Sequence, residues 1–175
     1  YHSAGAMWAE TRYTFKSISS FGHPVAVIDQ TLQKAGKEFR AEIIGTNFTS
    51  TRDEYTLDLT KAYDCPNLKS YTRKFVYDRN GKGSLLVEDH FELNKAGSFE
   101  SAVITLADWQ EIGDNKIKLS GKQHTAHIKI EVSSPKGYTI IPEKIQENGP
   151  EFSRIGIRLN EKSKEGYIRT FFEAE

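Results

Sequence analysis

The sequence predicts an all-β fold, a two-sheet antiparallel β-sandwich of about a dozen strands. Three observations point there. Apolar and polar residues alternate with period two along most of the chain, turn residues interrupt that pattern at short intervals, and no long stretch carries the 3.6-residue period of an amphipathic helix. Strands joined by short loops without intervening helices pair antiparallel, and two stacked sheets bury one face of each.

The expected strands, in chain order, begin with "RYTFKSI" (12–18), "VAVID" (25–29) and "FRAEII" (39–44). In "EYTLDLT" (54–60), Tyr55, Leu57 and Leu59 alternate with Glu54, Thr56, Asp58 and Thr60, which gives one apolar and one wet face. "SYTRKFVYD" (70–78) and "SLLVEDHFEL" (84–93) flank Asn80-Gly81, the pair expected to form a type I′ hairpin turn. "ESAVITL" (100–106) follows, and Gly97 and Gly113 are expected at either end of that one strand. "NKIKLS" (115–120), "HTAHIKIEV" (124–132) and "GYTIIP" (137–142) come next. In "SRIGIRLN" (153–160), Ile155, Ile157 and Leu159 face inward and Arg154 and Arg158 outward. "YIRTFFEA" (167–174) ends the series, with Gly166 expected to close the last hairpin.

At 175 residues the chain has the size of one domain, read as residues 10–175, with 1–9 as a cloning or boundary remnant. Lys plus Arg number 24 and Asp plus Glu number 24, so no net field draws the protein to nucleic acid or to an anionic membrane. No apolar run approaches the ~20 residues of a membrane span, and the opening lacks the charged-then-apolar order of a signal peptide. The single cysteine, Cys65, forms no internal disulfide and reads as a half-buried small residue.

Few residues carry chemistry. His124 and His127 have the spacing of a helical metal pair, but on a strand positions i and i+3 point to opposite faces. His90 shares the wet face of its strand with Glu88 and Glu92. Asp89, in contrast, falls in phase with Val87, Phe91 and Leu93. A buried carboxylate needs a partner, and Arg73 on the neighbouring hairpin strand is the expected one. Trp8, Trp109 and Tyr63 are candidates for stacking on sugar rings and equally for core packing. Asn47-Phe48-Thr49 is a glycosylation sequon, relevant only in a glycosylating host. No nucleophile elbow or phosphate loop is present.

The run "SSFGHPVAVIDQTLQ" adds what periodicity does not. Together with "LDLTKAY" (57–63), "KSYTRKFVYDR" (69–79) and "VEDHFEL" (87–93), it resembles the C-terminal β-sandwich of heparinase II/III-like polysaccharide lyases. Ser19, Ser20, Gly22, His23, Val25, Val27, Ile28, Asp29 and Gln33 match the family's pattern, whereas Pro24 stands where asparagine is usual and Gln30 where glycine is. The resemblance implies β-elimination on uronic-acid polysaccharides by bacterial enzymes that are periplasmic or secreted. It also implies that catalytic residues sit on an N-terminal helical toroid, the partner domain, so that this chain is not competent alone. In several members the histidine equivalent to His23 binds zinc, which makes His23 the candidate metal ligand, with the other ligands outside this chain. A free-standing carbohydrate-binding or structural accessory module is the alternative.

Overall fold

The structure is a computed structural model that describes residues 12–147 and 149–175. Among the described residues, twelve strands form two antiparallel sheets. The large sheet has the order β2-β3-β4-β5-β12-β9-β8-β7, and the small one the order β1-β6-β11-β10. The strands are β1 (Val27–Ile28), β2 (Glu42–Phe48), β3 (Arg52–Asp58), β4 (Leu68–Asp78), β5 (Ser84–Gly97) and β6 (Phe99–Thr105), then β7 (Asp108–Gly113), β8 (Lys116–Ser120), β9 (Thr125–Val132), β10 (Tyr138–Ile145), β11 (Phe152–Leu159) and β12 (Ser163–Ala174). Two meanders, β2 to β5 and β7 to β9, are joined by β12, which pairs with β5 on one side and β9 on the other.

Period-two alternation decides which side chains enter the space between the sheets. From the large sheet come Tyr71, Phe91, Ile117, Ile128, Ile130 and Ile168, and from the small sheet Ile28, Phe99, Ile155 and Ile157, each at most 1% exposed. Phe91 and Phe99 stack across the interface at 4.2 Å between ring centroids, and Tyr71 meets Phe99 edge-on at 5.6 Å. Such contacts add about 0.5–1.5 kcal/mol each beyond area burial.

Several expectations are corrected. "RYTFKSI" is no strand: Arg12–Thr14 is a 3₁₀ helix, and the segment after it lies against the small sheet, tied to β10 and beyond by Lys16–Glu143 and by Ser17 hydrogen bonds to Glu147. The stretch between Gly97 and Gly113 is two strands in different sheets. β6 ends at Thr105, whose hydroxyl accepts the Ala107 N–H (3.0 Å), and β7 starts at Asp108 in the large sheet. Asn80-Gly81 is not the type I′ turn, since only Gly81 and Gly83 of that loop have positive φ. The type I′ geometry occurs at Asp114 (φ 50°) and Asn115 (φ 57°), joining β7 to β8. Gly166 closes no hairpin: it lies inside β12 opposite Phe91, and β11 and β12 belong to different sheets. A Cβ there would come within 3.2 Å of the Phe91 ring and strike the Ser133 hydroxyl. The expected remnant at residues 1–9, and Trp8 within it, lie outside the described residues.

Candidate functional site

His23 sits at the end of a short 3₁₀ turn, Ser20–Gly22, that leads into β1. The turn is held locally by Gly22 N–H to Ser19 O (3.1 Å) and His23 N–H to Ser20 O (3.2 Å), and Val25 N–H returns to His23 O (2.8 Å) around Pro24. Gly22 is buried, and a Cβ on it would collide with the Lys16 carbonyl oxygen and lie 2.9 Å from Ser17 Cα. Backbone cannot move aside as a flexible side chain can, so this position requires glycine.

After the turn, Ile28 and Thr31 exchange backbone hydrogen bonds (3.1 and 2.8 Å) across Asp29 and Gln30, both at positive φ (47° and 64°). The Asp29 carboxylate accepts the Ser98 N–H (2.8 Å) and an Asn67 amide hydrogen (2.5 Å), anchoring the turn to the β5–β6 junction. A Cβ on Gly97 would lie 2.5 Å from both Asp29 carboxylate oxygens, which explains the glycine there.

Two buried arginines reach the His23 turn. Arg73 is 6% exposed and forms a forked ion pair with Asp89, Nε to Oδ1 at 2.6 Å and Nη2 to Oδ2 at 2.7 Å, while its Nη1 donates to Pro24 O. Tyr71 and Ser101 hydroxyls complete the shell of Asp89 at 2.8 and 2.6 Å. Burial and the neighbouring carboxylate push the Tyr71 phenol well above its ordinary range. Arg154 is 1% exposed and donates from Nε to Phe21 O (3.0 Å) and from Nη1 to Glu100 (2.5 Å), with its guanidinium 4.2 Å from the Phe21 ring centroid. Glu100 also accepts from Arg158 (2.8 Å).

His23 is half-buried and lines a groove of about 370 Å³ with Ile18, Pro24, Ile104, Leu106 and Phe152. Glu147, on the same groove, accepts Ser17 N–H (2.8 Å), Ser17 Oγ–H (2.8 Å) and Lys16 N–H (3.1 Å). The Ser17 backbone bond leads in holding its carboxyl below the usual glutamate range. Among the described residues, no group of three or more His, Cys, Asp or Glu side chains is placed to hold a metal ion. These residues alone do not complete a zinc site at His23.

Neither a protein-family model nor a curated protein matches the sequence. Solved structures do match the fold. The heparan sulfate lyase HepC mutant from Pedobacter heparinus aligns with 100% of this chain at a TM-score of 0.69 and 12% identity, through 27% of its own length. Heparinase III aligns with 98% at a TM-score of 0.64 and 15% identity, through 26% of its length. A heparinase III with methylated lysines aligns with 98% at 0.65 and 9%. The chain has the fold of one quarter of these heparinase III structures. It spans about a quarter of the length of the lyases it matches.

Within this heparinase III fold the other sequence candidates have structural places. Asp89 is 1% exposed and stands directly opposite Arg73, the partner expected from phase alone. His90 is exposed on the outer face of the large sheet, opposite Tyr167 and Thr72. His124 precedes β9 and His127 lies within it, and among the described residues no third ligand converges with them. Tyr63 is buried and donates its hydroxyl hydrogen to Ala26 O (2.9 Å), whereas Trp109 is half-buried and packs against the core. Cys65 is a half-buried free thiol with Sγ 4.0 Å from Ile28 O. Asn47 is exposed on β2.

Sequence reasoning missed Glu100, Glu147 and the burial of Arg154. Arg154 does face away from the core, as its phase predicts, but residues 16–22 cover that outer face of the small sheet. Nothing in the local alternation of β11 marks a covered outer face.

Proposed function

We propose that this chain is the C-terminal β-sandwich domain of a polysaccharide lyase that cleaves uronic-acid glycans by β-elimination, and that it is not catalytic on its own. The observation that carries the proposal is the end-to-end match to one quarter of a heparan sulfate lyase, at a TM-score of 0.69 over 100% of this chain. The motif "SSFGHPVAVID" supports it independently of the fold.

β-Elimination needs a base to take the C5 proton beside the uronate carboxylate, an acid for the leaving glycosidic oxygen, and a group that neutralises the carboxylate. We assign these to an N-terminal helical toroid, the partner domain, with the β-sandwich as its support. His23 is assigned to the contact between the two domains. A zinc there would take its further ligands from outside this chain and would pin the sandwich to its neighbour without entering proton transfer. By the same resemblance the parent enzyme is periplasmic or secreted. No helix among the described residues is long and apolar enough to cross a membrane.

The full-length reading frame tests the proposal against an accessory carbohydrate-binding module. A lyase requires a long helical region encoded ahead of this domain, and circular dichroism of the full-length product would show its helix content. A reading frame that supplies no such region contradicts the proposal and favours the module.

A further inference from the structure

The two buried arginines approach the His23 turn from opposite faces of the small sheet. Arg73 comes from the interior between the sheets, where Asp89, Tyr71 and Ser101 surround it. Arg154 projects from the outer face of β11, in phase with Gly156 and Arg158 and opposite in phase to the core residues Ile155 and Ile157. Each spends one donor on a backbone carbonyl of the same turn, Pro24 O for Arg73 and Phe21 O for Arg154. Those carbonyls lie on either side of His23, and Gly22 between them is packed against the Lys16–Ser17 backbone.

We infer that Arg73 and Arg154 are positioning residues for His23, each oriented by its buried carboxylate so that the pair fixes the turn from both faces. The inference rests on the assignment of His23 to the domain contact. If fastening a loop to a sheet were all that was required, apolar side chains would achieve it without desolvating four charges, because replacing a buried ion pair by well-packed apolar residues is often neutral or stabilising. A planar guanidinium supplies what an apolar contact lacks. Its donors have fixed directions, so a carboxylate gripping one edge sets where the remaining donor points. Here that donor meets a carbonyl within two residues of the histidine, Pro24 O or Phe21 O, which holds the backbone at His23 in one orientation. Asp89 grips Arg73 with both oxygens, and Glu100 shares its two oxygens between Arg154 and Arg158.

Amide hydrogen exchange on the 175-residue chain, whose core closes on itself, tests this directly. The double variants Arg73→Met/Asp89→Leu and Arg154→Met/Glu100→Leu remove each clamp together with its carboxylate, so neither leaves a buried charge unpaired. The expected result is exchange at least about tenfold faster at the His23 and Val25 amides, with Phe91 and Ile130 amides within about threefold of the parent chain. A role in stability alone would accelerate Phe91 and Ile130 by the same factor as His23, and that result overturns the inference. So does a folded variant whose His23 and Val25 amides exchange at the parent rate. If a double variant does not fold, Arg73→Lys is read by the same criterion, because it keeps the charge and loses the fork. The outcome is independent of glycan cleavage, so failure here and failure of the lyase assignment are told apart.

Discussion

Arg73 on β4 and Asp89 on β5 are direct cross-strand partners and meet in a forked ion pair inside the sandwich, 6% and 1% exposed. Asp89 accepts from the guanidinium, the Tyr71 hydroxyl and the Ser101 hydroxyl, so its charge is neutralised by geometry that bridges both sheets. Removing one partner strands the other. Arg73→Met or Asp89→Leu alone is expected to lower stability by about 3–5 kcal/mol, and the double variant by much less. Denaturant unfolding of the three variants and the parent checks this. Additive losses would show that the pair is not coupled.

Gln30 carries a positive φ of 64° where the resembling family usually has glycine. A residue with a Cβ is strained there by about 1–2 kcal/mol, so Gln30→Gly should stabilise the chain by up to about 1 kcal/mol after the entropy cost of glycine. A shift of the thermal midpoint upward is the expected readout.

Gly97 and Asp29 form a second coupled pair. Gly97→Ala would place its methyl 2.5 Å from the anchored Asp29 carboxylate oxygens and should destabilise by about 1–3 kcal/mol. Asp29→Gly removes the obstacle while tolerating the positive φ, so Gly97→Ala should cost less than half as much in that background. A double-mutant cycle by denaturant titration measures the difference.

Glu147 gives a pH signature. Its folded value lies below the ordinary glutamate value of 4.5, chiefly through the Ser17 backbone N–H. A depressed carboxyl contributes stability that is present above the unfolded value and lost as pH falls through the folded one. Parent chain and Glu147→Gln should therefore differ in thermal midpoint at neutral pH and converge as the solution is acidified below about pH 4. A gap that widens on acidification would contradict the Ser17–Glu147 tether.

Much of this was legible in the sequence because burial between two sheets imposes a period of two on every strand. The inward phase of Asp89 and its pairing with Arg73 follow from that period. What escaped has no two-residue signature. The crossing from β6 to β7 takes only Leu106 and Ala107, too few residues to interrupt the pattern. The type I′ turn is made by Asp114-Asn115, which adopt positive φ without glycine, whereas Asn80-Gly81 sits in a longer loop. The segment at 12–18 alternates but is tied down by Glu143 and Glu147, contacts more than 120 residues away in sequence. His23 was visible as an oddity at a strand entrance. Its fastening was not, because Arg154 and Glu100 look like wet-face charges until the turn that covers them is in place.

The most direct measurement of the central claim is formation of unsaturated uronate product, followed by ultraviolet absorbance, with heparan sulfate, heparin and alginate as substrates. The natural full-length protein and the 175-residue chain are assayed side by side. The expected result is product from the full-length protein on at least one of the three polymers and none from the chain alone, because the proposed function assigns the acid, the base and the surface that aligns them to a separate helical domain. Product from the isolated chain, or none from the full-length protein on any of the three, would contradict it.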